Sequence, residues 1–309
     1  AWTGLTYGGK LINSYATTSV TGGASGSTGG LVGNSSGNSI ANSYASGTVT
    51  GRGNYVGGLV GYSSTPISAS NASTVVTNTS SYTGGLVGSS SATISGSYAT
   101  GTVTGNVHYI GGLVGDSSAA IATSYATGNV TGSGSNSERV GGLVGNASST
   151  VTSSSATGNV LVTGASSNYT GGLVGYLTST VTDSYASGTV SGTGASSSRI
   201  GGLVGYSSTG NVVNSYASGV VNGSGASSYY IGGLIGSLDS ATVSDSSYIT
   251  GSVSGASYVG GLVGVTNSAA VIKGSFTARP VTGSLDYVGG LVGKLGGTIQ
   301  ASDSALGCW

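Results

Sequence analysis

The chain has 309 residues, of which 62 are glycine, and its seven acidic and seven basic side chains leave it with no net charge. That balance provides no basic stripe to displace counterions from nucleic acid and no field to hold an acidic membrane surface. Disorder is excluded too, because disordered chains combine high net charge with few aromatic or β-branched residues, whereas valine, isoleucine and 19 tyrosines recur here.

From the N-terminus onward the chain repeats itself. A degenerate copy at Thr3-Gly4-Leu5-Thr6 is followed by Gly-Gly-Leu-Val-Gly, once with isoleucine for valine, beginning at residues 29, 57, 84, 111, 141, 171, 201, 232, 260 and 289. Between copies a second string recurs, as in Asn42-Ser43-Tyr44-Ala45 and Asp183-Ser184-Tyr185-Ala186, and then a third, as in Gly47-Thr48-Val49-Thr50-Gly51. The unit at residues 62 to 83 lacks the Ser-Tyr-Ala string. No run is long enough for a helix, and the β-branched and aromatic content favours strands. A fixed period of 27 to 31 residues is the mark of a stacked repeat architecture. The expectation is one continuous all-β domain over residues 1–309, a β-solenoid of about ten to eleven coils with about three short strands per coil. The terminal coils, 1–28 and 289–309, are expected to be incomplete. Coils stacked roughly 4.8 Å apart would make a rod roughly 50 Å long.

Within the motif, the position before the glycine pair is Val, Ile or Thr and is expected to face inward. Alternation then places the preceding residue outward. That column reads Tyr55, Tyr82, Tyr109, Arg139, Tyr169, Arg199, Tyr230, Tyr258 and Tyr287, and it is expected to be an exposed ladder available for adhesion or lateral contacts. A second column holds Tyr15, Tyr44, Tyr98, Tyr125, Ser155, Tyr185 and Tyr216, with Phe276 near the end. The small Ser43 and Ala45 that flank it are expected to face the interior. A third column, Asn34, Tyr62, Ser89, Asp116, Asn146, Tyr176, Tyr206, Ser237, Val265 and Lys294, varies enough to suggest solvent.

The repeated Gly-Leu-Val-Gly resembles the GLUG motif, a short repeat of large secreted and surface proteins of bacteria and archaea. The resemblance runs from Gly4-Leu5-Thr6 to Gly290-Leu291-Val292-Gly293. It implies an extracellular or cell-surface location and a role in adhesion or surface architecture, and it brings no catalytic residues.

Catalysis and cofactors are not expected. Parallel β-helix lyases and hydrolases need grouped carboxylates or basic residues in one cleft. Asp183 and Asp245 occupy equivalent places two coils apart, but Asn214 stands between them and Asn42 and Asn13 fill the same column. A turn ladder of asparagine and aspartate explains this arrangement. His108, the only histidine, has no cysteine or acid near it in sequence, which argues against a zinc site or a triad.

No capping helix is legible at either end. Trp2, Leu5, Leu306, Cys308 and Trp309 are therefore candidates for an end-to-end interface, in which bare coils stack head to tail into a filament or surface fibre. The alternative is a monomeric surface adhesin that binds glycans or host surfaces through its tyrosine ladders. Ice binding through Thr48/Thr50 and Thr102/Thr104 is a third reading, weakened because the column decays to Asn159/Leu161 and Val220/Asn222. The partners expected are the chain itself, or a glycan or cell surface, with neither nucleic acid nor membrane insertion.

Overall fold

The computed structural model describes residues 6–7 and 9–302, so Trp2, Leu5, Leu306, Cys308 and Trp309 lie outside the described residues. Every described strand is parallel to its neighbours one coil below and one coil above. The chain winds as a β-solenoid of about ten turns, and each turn adds one rung to each of five sheets of ten or eleven strands. The coil containing Tyr62 shows the order. Val60–Ser63 lies in the first sheet, Ile67–Ser68 in the second, Asn71–Ala72 in the third, Val75–Asn78 in the fourth and Thr83–Gly84 in the fifth.

Five strands per coil, rather than three, have two causes. The first is the glycine pair, which breaks Tyr-Val-Gly-Gly-Leu-Val-Gly into two strands. Tyr55–Gly57 ends at the first glycine and Val60–Ser63 starts after the leucine. The second is a whole sheet built on single buried aliphatic residues, Ile40, Ile67, Ile94, Ile121, Val151, Val181, Val212, Val243 and Ile272. The sequence carries a signal for this sheet, because an aliphatic residue stands ten to twelve positions beyond the first glycine of every copy. The serine-rich surroundings obscure it.

The core is narrow and filled in columns. Val56, Ile110, Val140, Ile200 and Val259, at the position before the glycine pair, are fully buried, as are the corner leucines from Leu59 to Leu262. Hydrogen bonding runs unbroken round the corner: Leu59 N–H donates to Leu86 O at 2.9 Å, and Leu86 N–H to Leu113 O at 2.8 Å. Glycine is required here because backbone meets backbone. A Cβ on Gly112 would lie 2.0 Å from the Gly142 oxygen of the next coil and 3.0 Å from the Ala126 Cβ across the core. The alanine of Ser-Tyr-Ala is thus small for the same reason. It packs against the glycine corner, so the third sheet lies on the opposite side of the rod from that corner.

The serine beside that alanine is buried and forms a ladder of its own. Its Oγ donates to the carbonyl two residues earlier and accepts the N–H of the matching serine one coil below. Ser97 Oγ, for example, donates to Ser95 O at 2.9 Å and accepts Ser70 N–H at 3.2 Å. The chain of such bonds runs from Ser14 through Ser43, Ser70, Ser97, Ser124, Ser154, Ser184, Ser215, Ser246 and Ser275 to Ser302. A buried hydroxyl is costly unless its hydrogen bonds are made, and here each serves two coils. The residue before each serine turns the chain. Asn13, Asn42, Asp183, Asn214 and Asp245 have φ between 46° and 52°, Gly96 and Gly274 have φ 54° and 55°, and Ala69, Thr123, Ser153 and Ala301 adopt the same turn at 43° to 51°. Asparagine, aspartate and glycine tolerate this left-handed conformation best.

One coil departs from the pattern. Tyr248 pairs with Ala217 and Thr277 and so takes the alanine position. It is fully buried, and its hydroxyl donates to Gly219 O at 2.8 Å or Ser252 O at 3.0 Å. Burial pushes its pKa well above the ordinary tyrosine value.

Two outcomes follow. Gly112→Ala forces the two backbones apart at a corner bonded on both sides. It is expected to destabilise the rod by about 3 kcal/mol or more, read as a lowered midpoint in denaturant unfolding. For Tyr248, the unfolded chain releases the phenol proton at about pH 10 while the folded chain holds it. The stability this group confers is complete below that pH and is lost as pH climbs toward the folded value. Between pH 9 and 11.5 the unfolding midpoint of Tyr248→Phe should therefore fall less steeply than that of the native chain. At pH 7 the variant should be less stable by about 1–3 kcal/mol, because its burial leaves a carbonyl unpaired.

Candidate functional site

The position before the inward valine does not reach the surface by simple alternation. Tyr82, Tyr109, Arg139, Tyr169, Arg199, Tyr230, Tyr258 and Tyr287 all have φ between 53° and 63°. Tyr82, Tyr109 and Tyr287 stand just before the strand, and the other five lie within it but are skipped in the pairing. Asn168 pairs with Ser198 and Thr170 with Ile200, while Tyr169 and Arg199 between them are skipped. A bulky side chain in this conformation costs about 1–2 kcal/mol. That cost recurs in eight consecutive coils, so something must offset it.

The offset is contact with the first sheet. The ladder is half-buried from Tyr55 to Tyr258, and only Tyr287 is exposed, at 54%. Its residues touch the third column, which is therefore not the solvent-facing row that its variability suggested. Ser89, Asn146 and Ser237 in that column are buried, Tyr62, Asp116, Tyr176 and Tyr206 are half-buried, and Lys294 is exposed. From Tyr82 onward each ladder side chain meets that face from a left-handed residue, Tyr55 meets it from an ordinary strand, and the two columns form one strip.

Along the strip stacked, tilted and edge-on ring contacts alternate with arginine contacts in one continuous series. Tyr55 lies 5.4 Å from Tyr62 and 4.9 Å from Tyr82, and Tyr82 lies 4.5 Å from Tyr109 with planes 7° apart. The Arg139 guanidinium then sits 4.8 Å from the Tyr109 ring and 4.5 Å from the Tyr176 ring. Tyr176 meets Tyr206 at 5.2 Å, and Arg199 lies 5.4 Å from both the Tyr206 and Tyr230 rings. Tyr230, Tyr258 and Tyr287 continue at 5.0 and 4.7 Å, with the Lys294 ammonium 5.7 Å from Tyr258. Each such cation contributes about 0.5–2 kcal/mol through the ring quadrupole. Arginine can replace tyrosine in this column because the guanidinium is also a flat plate that stacks.

Polar groups punctuate the strip. Asn146 Nδ2 donates to Asp116 Oδ1 at 2.7 Å, and Arg139 donates to Tyr109 Oη at 3.0 Å and Asn146 Oδ1 at 3.4 Å. Tyr206 Oη donates to Asp239 Oδ2 at 2.6 Å. Burial first, and that hydrogen bond second, push its pKa well above the usual tyrosine value. Burial among its neighbours raises Tyr82 as well.

The acids that sequence spacing brought together do not form a cleft. Asn214 Nδ2 donates to Asp183 Oδ1 at 2.5 Å on the exposed turn column. His108 does have an acidic neighbour, because Glu138 of the next coil places Oε2 3.9 Å from Nδ1. Thirty residues separate the two in sequence, a distance that only the coil closes. Among the described residues no group of three or more His, Cys, Asp or Glu side chains is placed to hold a metal.

On the other side of the rod the second column is more open. Tyr15, Tyr44, Tyr125 and Tyr216 are 64, 40, 40 and 36% exposed, while Ser43 and Ala45 beside them are fully buried.

A family model described as the GLUG motif matches residues 24–50, 79–104, 136–161, 166–191 and 196–222. Each match spans one whole coil, from the fifth-sheet strand through the fourth, and the coils between and beyond keep the same strands in parallel pairing. No curated protein and no solved structure matches the chain.

Proposed function

We propose, from the premise that this is a GLUG-repeat protein, that it serves outside the cell or on its surface as a stiff, non-catalytic rod carrying an adhesive strip. The observation that carries this reading is the unbroken Tyr/Arg strip from Tyr55 to Tyr287, which crosses eight coil steps and so measures roughly 38 Å. The rod holds a strained backbone residue in eight consecutive coils while keeping large flat side chains in line. Tyrosine in such a position offers rigid, amphipathic contact at low entropy cost. Sugar rings and the surface of another protein are both suited to it, and the cell surface or its glycans are the partner of choice. Because the contacts are repeated, weak binding at each coil sums to firm attachment.

The test replaces Tyr55, Tyr109 and Tyr169 together by serine. Attachment to a glycan-bearing cell surface should fall about tenfold or more, while the unfolding transition remains cooperative. Unchanged attachment removes the strip as the contact surface.

Head-to-tail stacking into a filament is a second reading, favoured by one observation. In the last described coil Leu285, Val288 and Leu295 are 61, 46 and 51% exposed. Another coil, whether of this chain or of a second copy, would cover them. Micrographs of the purified protein at neutral pH should show rods well beyond roughly 50 Å; a field of short single rods counts against stacking.

A further inference from the structure

The exposed tyrosines of the third sheet are not a continuous ladder. Taken coil by coil, the column reads Tyr15, Tyr44, Asn71, Tyr98, Tyr125, Ser155, Tyr185, Tyr216, Ser247 and Phe276. Two aromatic rungs are followed by one polar rung, three times over. Within each pair the rings lie face to face: Tyr15 and Tyr44 at 5.2 Å and 7°, Tyr98 and Tyr125 at 4.8 Å and 1°, Tyr185 and Tyr216 at 5.1 Å and 4°. The inner face of each ring is covered by its partner. The other face, for Tyr44, Tyr98, Tyr125, Tyr185 and Tyr216, is on the side of the rung where Asn71, Ser155 or Ser247 stands.

Each polar rung is therefore a slot with an aromatic wall on either side. The walls are Tyr44 and Tyr98, Tyr125 and Tyr185, and Tyr216 and Phe276. Two coil steps separate them, roughly 9.5 Å along the axis. The slots recur every third coil, roughly 14 Å apart. We propose that each slot receives one uncharged terminal pyranose ring, inserted edge-on between the two aromatic faces, and that the three slots together bind a glycan-coated surface.

Three features of the site select that occupant. The first is thickness, since a pyranose chair of glucose configuration presents axial C–H groups on both faces and each lies against one wall. The second is the floor and rim. Asn71, Ser155 and Ser247 are half-buried at the bottom, and exposed Ser73, Ser153 and Thr157 stand beside the first two slots. Amide and hydroxyl groups there pair with sugar hydroxyls. The third is charge. The floors are neutral, and Asp183 beside the Tyr185 wall and Asp245 beside the Ser247 floor are acidic, so the site suits a neutral sugar better than an acidic one.

The slots lie on the third sheet, across the core from the Tyr/Arg strip, so they are independent of that strip and can fail or succeed separately. Their test fills them. Asn71→Tyr, Ser155→Tyr and Ser247→Tyr place tyrosine on a backbone that already carries it in neighbouring coils, so the stack becomes continuous and the fold is kept. The probes are polyacrylamide conjugates bearing terminal glucose, galactose, mannose or N-acetylglucosamine, with a phenol-bearing conjugate and the bare polymer alongside. The native chain should be retained on at least one sugar conjugate, and the triple variant should lose about tenfold or more of that retention although it carries three more tyrosines. Thr50→Ala, exposed on the fourth sheet and outside both aromatic faces, should leave retention unchanged. Equal or stronger retention of the filled variant overturns the proposal. So does retention on the phenol conjugate in place of the sugars, which would assign the slots to aromatic side chains of a partner protein, and so does the absence of retention on all four sugars. A variant with slots widened by Tyr98→Ser and Tyr185→Ser provides a second reading: it too should lose retention, and its unfolding midpoint reports whether the coil has survived.

Discussion

The close approach of one coil's backbone to the next at the glycine corner governs this molecule. There the second glycine of each pair would put a Cβ about 2 Å from the oxygen above it, and the leucine that follows donates its N–H to the leucine carbonyl of the next coil. Corners are where a coiled chain would ordinarily lose hydrogen bonds, and unpaired buried backbone groups are costly. Removing the side chain lets the coils close to bonding distance at the bend. Pairing then continues from the fifth sheet into the first, and the coils stay in register along the whole rod.

From that constraint the rest of the cross-section follows. The alanine of the third sheet must be small because it packs against the glycine corner. The serine beside it is buried with it and must satisfy its own hydroxyl, which it does by joining consecutive coils. Packing between the fourth and fifth sheets is balanced in the same way. Glycine at positions such as Gly105 and Gly192 makes room for Ile110 and Ile200, where a Cβ would come within 2.7 and 2.4 Å of the isoleucine side chain. Where a larger residue takes the glycine position, as at Asn78 and Val162, threonine replaces the isoleucine, at Thr83 and Thr170. Volume is conserved across the core although the sequence at each site changes.

The two aromatic faces stand outside this core and answer to different rules. The Tyr/Arg strip depends on a strained residue in each of eight coils, and stacking across two sheets holds it. The third-sheet column is unstrained at its tyrosines, and its interest lies in where the rings are missing. One face is thus a continuous surface and the other a set of repeated openings, carried on opposite sides of the same rod.

The repeat itself determined a great deal. Its period, the aliphatic residue before the glycine pair, the small residues flanking Tyr44 and the asparagine/aspartate turn ladder were all legible, because each coil meets a copy of itself and like columns must satisfy like environments. The missing charge and the absence of helix-forming runs completed that picture. What the tertiary structure alone decided concerns contacts between columns distant in sequence. The number of strands per coil depended on a corner inside one motif and on single aliphatic residues in polar surroundings. The union of the ladder with the supposedly solvent-facing third column lies in side-chain contacts between two sheets, made from Tyr82 onward by left-handed residues that no alternation rule anticipates. The inward turn of Tyr248 depended on a one-residue shift that moves a side chain from one face of a strand to the other. In each case the deciding contact lies across a coil step or around a bend, where spacing along the chain no longer measures distance.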